Sequence, residues 1–335
     1  MPKIKIICFL LCLFICSCKK EGYVDNYPAD VSFKITAKLL KDKKIDCIRI
    51  DREGNIYVGS DKELFVVKKS NLESYSIGSP VLDIAVGRDN IIWIGTSGKG
   101  LGRFDGKKFT WYNKENSGLP RNYVAQVETD FDNRIWFSCC AYKIGGLGIF
   151  DGHKFDFLTP ENSPLNQNVI SDMEAGPDGA IYIATSGKVN MSNIYRIKGK
   201  TWQCLGDENG TFYWINSFTV SPSGNIFVVE DFSLSSLFKE NRLFVFENNE
   251  WYEINEKGQP KIPDMAVIKS DRRNYIWLAG YEKNSAVLYI YNGKSWLRSP
   301  EGLLPDDIIT VIENDSENNI YLGTYKNGIF ILNQK

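Results

Sequence analysis

Residues 83–112 read DIAVGRDNIIWIGTSGKGLGRFDGKKFTWY. The alternating run Leu82 to Val86 leads into a Gly-Arg-Asp-Asn turn and then a β-branched and aromatic run, Ile91 to Thr96. After a glycine-rich loop come a third short run, Leu101 to Phe104, the dipeptide Asp105-Gly106, and a fourth run, Lys108 to Tyr112. Runs of period two separated by turn residues are the pattern of short antiparallel strands. The stretch therefore reads as four strands, a to d. Asp-Gly suits a two-residue type I′ hairpin between c and d, because both central positions of that turn need positive φ.

The unit recurs. A turn followed by Ile-aromatic appears seven times, with the isoleucines at 56, 92, 135, 181, 226, 276 and 320, a mean spacing of 44 residues. That period matches one propeller blade and exceeds most helical repeats, and no segment carries a helical apolar stripe. The c–d turn returns as Asp151-Gly152, Lys198-Gly199 and Asn292-Gly293, each followed by an aromatic: Phe155, Trp202 and Trp296. Large rings filling the wedge between blades account for 8 Trp, 17 Tyr and 19 Phe in 335 residues. The seventh repeat stops at Leu332, after strand c, whereas residues 31–37 alternate as a strand ahead of the first repeat. Pairing the two would close the ring and remove its open edges. The expected fold is all-β: one seven-bladed β-propeller of four-stranded blades, residues 31–335, closed by an N-terminal strand.

The first thirty residues read differently. Lys3 and Lys5 precede an uncharged apolar run from Ile6 to Cys16, too short to span a bilayer and right for a signal core. It ends in Ile15-Cys16-Ser17-Cys18, which resembles a bacterial lipobox. That resemblance implies a lipoprotein signal peptide over 1–17, lipid on Cys18, a tether over 18–30, and export to a bacterial membrane surface, either periplasmic or outward-facing. Cys47, Cys139, Cys140 and Cys204 remain in the folded part; without CxxC spacing they read as buried thiols rather than metal ligands or disulfides.

With repeats aligned, IIWIGTSGKGLGRFDG, followed by Ser117-Gly118-Leu119-Pro120-Arg121-Asn122-Tyr123-Val124, resembles the two-component regulator propeller family. Weaker copies of the linker are Asn162-Ser163-Pro164-Leu165 and Gly302-Leu303-Leu304-Pro305. The family's propellers commonly form exported sensor halves of regulators in gut Bacteroidetes, where glycan breakdown products are the usual signals. These 335 residues hold no kinase sequence, so the resemblance implies ligand or partner binding at the envelope rather than kinase signalling.

Charge and histidine content narrow the function. Forty Lys+Arg against 41 Asp+Glu give no electrostatic footprint for nucleic acid. The single histidine, His153, sits in the Asp151-Gly152-His153 turn, away from the expected working face, which argues against histidine catalysis. Acidic residues at Asp51, Asp130, Asp271 and Asp315 fall in a–b turns, where Asx hydrogen bonding explains them. No cofactor or metal is expected.

In a propeller the b–c and d–a loops surround one mouth of the channel. The a–b turns here are short and alike, whereas the b–c segments vary, the longest spanning Ser138 to Gly145 and Glu230 to Asn241. Variable loops on a rigid scaffold are where binding usually sits. The d–a positions nearest the mouth are Lys43, Ser79, Asn122, Asn168, Tyr213, Pro263 and Asp307, joined by Tyr142, Trp214, Asp231, Phe232, Tyr281 and Tyr325. The candidate ligand-binding set is Asn122, Tyr142, Asn168, Tyr213, Trp214, Asp231, Phe232, Tyr281, Asp307 and Tyr325. Polar groups beside aromatic faces suit a small ligand or a glycan, and equally an envelope protein. The expected function is a lipid-anchored, non-catalytic binding or sensor-type propeller. The alternatives are a scaffold lipoprotein and a carboxylate- or metal-dependent enzyme of lyase or lactonase type.

Overall fold

The computed structural model describes residues 31–69, 71–141, 144–186, 192–206, 211–230, 240–254 and 260–334. These form seven four-stranded antiparallel sheets, the blades of a β-propeller, with no helix among the described residues. The inner strands a are Cys47–Ile50, Val81–Val86, Val127–Thr129, Val169–Ala175, Ile215–Val220, Asp264–Ser270 and Ile309–Asn314. Blade 2 follows the quoted stretch closely, with strands Val81–Val86, Ile92–Thr96, Leu101–Phe104 and Phe109–Tyr112.

The ring closes as the sequence implies. Ile35–Leu39 is the outer strand of blade 7 and pairs with Ile329–Leu332, Ile35 opposite Leu332 and Leu39 opposite Ile329. Gln334 extends the seam by accepting from the Ser32 N–H at 3.0 Å and donating to the Ser32 carbonyl at 2.9 Å. Phe33 packs edge-on against Trp277 of blade 6, so closure also supplies one interblade wedge.

Each wedge is a separate apolar cluster shared by two neighbouring blades. Trp93 of blade 2 meets Phe150 of blade 3 at 5.7 Å, and Phe212 lies edge-on to Trp251 at 4.8 Å. Cys47 and Cys139 are buried thiols within strands, and Cys204 is a half-buried one.

The recurring a–b aspartate has a definite task. Asp271 Oδ1 accepts from the backbone N–H of Arg273 and Tyr275, while Oδ2 accepts from the Trp277 indole N–H at 3.1 Å. Asp130 does the same for Asp132, Arg134 and the Trp136 indole at 2.9 Å. In blades 1 and 7, Asp51 and Asp315 take a tyrosine hydroxyl, Tyr57 or Tyr321, instead. One side chain thus shapes the turn and satisfies the polar atom of the buried ring six residues on.

Two turn expectations are corrected. Asp105-Gly106 is not type I′: only Gly106 has positive φ, and Asp105 Oδ1 instead accepts from Lys107 and Lys108 within a four-residue loop. The I′ geometry occurs in blade 5, where Asn248 and Asn249 both have positive φ between paired Glu247 and Glu250. In blade 3, strand b runs on to Ala141 and strand c begins at Ile144, so most of the expected Ser138–Gly145 loop is ladder. Gly148 permits it: a Cβ there would overlap the Phe137 ring.

Removing the turn carboxylate should show its worth. Asp271→Ala strands the Trp277 indole N–H in the interior, and should cost about 2–3 kcal/mol. In urea denaturation the midpoint should fall, and Asp271→Asn should lose less. Equal midpoints for all three proteins would refute the role.

Candidate functional site

Strand direction places the d–a and b–c segments at one end of the ring, the mouth, and the a–b and c–d turns at the other. Six large apolar side chains are exposed among the described residues, and four of them, Tyr123, Trp214, Met265 and Tyr325, lie at the mouth. Tyr123 and Met265 are not among the sequence candidates. Met265 is pushed outward by a bulge between Asp264 and Val267, where its φ is +52°, a feature the strand pattern does not announce.

The sequence candidates divide into exposed groups and staples. Trp214 is 38% exposed, and Tyr325 is 46% exposed with the Lys44 ammonium 5.5 Å from its ring centre. Tyr281 is half-buried and donates to Asp306 at 2.9 Å. Asp307 is buried: Oδ2 accepts from the Lys326 and Asn327 backbones and the Asn327 amide, and Oδ1 from Ile308. Burial works against its charge, yet the Asn327 and backbone N–H donors prevail and hold its pKa below the usual carboxylate value. Asn122 likewise ties the linker, accepting from Lys114 N–H and donating to Glu115. Tyr213 gives its backbone N–H to the buried Glu230 carboxylate, which also holds Arg242. Asn168 is half-buried, with no partner for Oδ1 among the described residues. Tyr142, Asp231 and Phe232 lie outside the described residues.

Beneath the mouth is a polar wall. The inner-strand residue eight positions before each strand-b aromatic pairs with it across the ladder: Arg49, Ala85, Glu128, Glu174, Thr219, Lys269 and Glu313. One level nearer the mouth stand Asp83, Asp172 and Ser217. Arg49 bridges Asp83 at 3.4 Å and Glu313 at 3.3 Å, and Lys269 reaches Glu174 at 3.3 Å. Burial opposes the charge of Arg49, but Asp83 and Glu313 outweigh it and its pKa lies above the usual value. Counting back from the aromatics was the signal that could have found this wall.

Among the described residues five channel carboxylates face two cations, and their burial appears in their titration. Burial pushes Glu128 up to about 7 against the pull of Arg49. It pushes Asp172 up to about 7 as well, helped by Glu174 and opposed by the Phe218 N–H. Among the described residues no group of three or more His, Cys, Asp or Glu has the geometry to hold a metal ion.

A cavity of about 270 Å³ opens at the other end, between the a–b turns of blades 3 and 4, lined by Phe131, Arg134, Trp136, Asp178, Ile181 and Lys198 among others. His153 is exposed in a c–d turn at this same end, away from the mouth.

No family model and no curated protein matches the sequence. Solved structures match the fold. A catalytically inactive histidine-to-alanine variant of virginiamycin B lyase from Staphylococcus aureus, with quinupristin, superposes with TM-score 0.66 at 15% identity, over 89% of this chain and 98% of that one. The extracellular domain of a putative hybrid two-component system from B. thetaiotaomicron gives 0.63 at 18% identity, over 87% of this chain but only 40% of that one. PorZ, a surface component of the type-IX secretion system of Porphyromonas gingivalis, gives 0.64 at 15%, over 85% and 46%. The neighbours thus include an enzyme and extracellular sensor domains alike.

The raised carboxylates predict a pH dependence. A carboxyl whose pKa rises from about 4 in the unfolded chain to about 7 in the fold stabilises the fold fully below the lower value. That contribution is lost as pH climbs through the upper one. The melting temperature should therefore fall as pH rises from about 4 to about 7. Among the described residues Glu128 accepts only from Thr129 N–H, which a glutamine can also satisfy. Glu128→Gln should be more stable than wild type at pH 8, by about 1 kcal/mol after screening by channel water, and equal to it at pH 4. A difference of the same size at both values would exclude titration as the cause.

Proposed function

We propose that this propeller is a non-catalytic binding module of the bacterial envelope, held by lipid on Cys18, which takes a small hydroxyl-rich ligand such as a glycan at its mouth. The observation that carries the reading is the gathering of Tyr123, Trp214, Met265 and Tyr325 at one end of a rigid ring. Flat aromatic faces stack on sugar C–H surfaces, and neighbouring amides and carboxylates take the hydroxyls. The exposed amide of Asn216, which donates to Ala266 O at 2.8 Å, stands two residues from Trp214. Sensor-type extracellular domains among the fold neighbours accord with this reading.

A second reading, docking of another envelope protein, draws on the same rings, since exposed Trp and Tyr are the commonest anchors of protein interfaces. A carboxylate enzyme is favoured by Glu128, whose pKa of about 7 suits a general acid. It is disfavoured by the commitment of Asp83, Glu174 and Glu313 to ion pairs with Arg49 and Lys269.

Thermal-shift screening with saccharides tests the first reading. A binding saccharide should raise the melting temperature, and Trp214→Ala and Tyr325→Ala should each weaken it about tenfold or more while the ligand-free protein melts unchanged. Phe131→Ala, at the opposite end, should leave binding intact. If no saccharide stabilises the protein and a stoichiometric envelope protein co-purifies, the second reading replaces the first.

A further inference from the structure

Three Asn-Gly pairs occur in the chain: Asn209-Gly210, Asn292-Gly293 and Asn327-Gly328. Glycine leaves its own backbone nitrogen unshielded by a side chain, so at such a pair the chain can attack the preceding amide. The first pair lies outside the described residues, and the other two stand in opposite circumstances. Gly328 is buried and its N–H donates to Lys43 O at 3.0 Å. The Asn327 amide donates to Asp307 Oδ2 at 2.8 Å, and its backbone N–H is held by Asp307 and Thr324. Gly293 is exposed in the c–d turn of blade 6, and its N–H meets no acceptor among the described residues.

Around Asn292 the turn is arranged as the reaction needs. Oδ1 accepts from the N–H of Lys294 at 3.0 Å and of Ser295 at 2.9 Å, with Ser295 Oγ at 3.4 Å. The bond to Lys294 closes an Asx ring that contains Cγ, Cβ, Cα, the Asn292 carbonyl carbon and the Gly293 nitrogen. Those are the atoms of a succinimide ring. Donors on Oδ1 polarise the amide carbon and stabilise the oxyanion that forms on it. The Asn292 Nδ2, the leaving group, is not held by any acceptor among the described residues.

We propose that Asn292 is a site of spontaneous backbone modification in the folded protein, and that Asn327 is not. The Gly293 nitrogen gives its proton to solvent and bonds to Asn292 Cγ. The Cγ–Nδ2 bond breaks, and ammonia leaves with a proton taken from water. Water then opens the succinimide. Attack at Cγ restores the backbone with an aspartate, and attack at the Asn292 carbonyl carbon gives isoaspartate, whose chain runs through Cβ.

The two products differ in what they do to the fold. Aspartate is the native residue at the matching position of blades 2 and 3. There Asp105 Oδ1 accepts from Lys107 and Lys108, and Asp151 Oδ1 from His153 and Lys154. Isoaspartate adds a carbon to the chain between Tyr291 and Trp296, which pair across the ladder and stack at 5.0 Å.

Ageing of the full chain tests the proposal. Folded protein and a sample in urea are kept for days in mildly alkaline buffer, and peptide mass spectrometry follows the amide-to-acid mass change at each asparagine. Asn292 should convert in the fold within about threefold of its rate in urea. Asn327 should convert about tenfold more slowly folded than in urea, because the Gly328 N–H must first open. Asn292→Asp should melt with the fresh protein, and the aged fraction that a protein isoaspartyl methyltransferase labels should melt lower. An Asn292 that stays an amide in the fold while urea converts it, or equal folded rates at the two sites, would overturn the proposal. Melting of Asn292→Asp as low as the isoaspartyl fraction would overturn the distinction between the products.

Discussion

A propeller must solve the problem that its innermost strands have no neighbour on the channel side. Strand a of every blade presents a row of backbone N–H and C=O groups to the axis, and such an open edge is costly unless water or side chains satisfy it. Among the described residues side chains do so at six of the seven junctions, and an ion pair spans the seventh. Asp83 takes the Val127 N–H, Gln126 donates to Ser171 O, and Asp172 takes the Phe218 N–H. Thr219 takes the Ser270 N–H, Asn314 donates to Ser270 O, and Thr310 donates to Ile45 O. Arg49 joins blade 1 to blade 2 through Asp83, and to blade 7 through Glu313. The belt runs all the way round, and the apolar wedges outside it can then pack as independent two-blade clusters.

That constraint explains why the channel is polar and acidic. A carboxylate is the best acceptor for a neighbouring strand's N–H, since it offers two oxygens and a charge-assisted bond. Using it repeatedly around a narrow ring buries like charges together, so two cations accompany them, and burial first and neighbouring carboxylates second raise the pKa values of Glu128 and Asp172. The polar wall is therefore first a consequence of closing the ring. A functional claim on any one carboxylate has to overcome that prior employment, which is heaviest for Asp83 and lightest for Glu128, whose side chain, among the described residues, accepts only from its neighbour Thr129.

The fold was legible in the sequence because its determinants are local and repeated. Turn residues precede an Ile-aromatic pair seven times, and a missing fourth strand at one terminus is balanced by a surplus strand at the other. The site was less so. Asn122, Asp307 and Tyr213 stand at the mouth as expected, but the same short polar chemistry that could meet a ligand is spent holding linkers and b–c loops. Nothing in a single sequence separates a carboxylate that closes a loop from one that waits for a ligand. Met265 was invisible for a different reason: a bulge reverses which side chain faces outward, and bulges leave no mark in an alternating pattern. The Asp-Gly turns erred in the other direction, since the aspartate side chain competes for backbone N–H groups and opens the loop beyond two residues.

The division between the two ends of the ring follows from the same economy of turns. In blades 1, 3, 6 and 7 the a–b aspartate satisfies a buried indole or phenol, so in those blades the turn cannot vary without destabilising a wedge. The mouth carries no such repeated obligation. Its linkers differ in length and residue type from blade to blade, and they can expose Trp214 in one blade and Tyr325 in another at no cost to the core. A surface that is variable and carries exposed aromatic side chains fits a specific partner. Neighbours that share this fold yet include both a lyase and sensor domains are what such a scaffold permits: the belt and the wedges specify the ring, and the mouth is left to specify the chemistry.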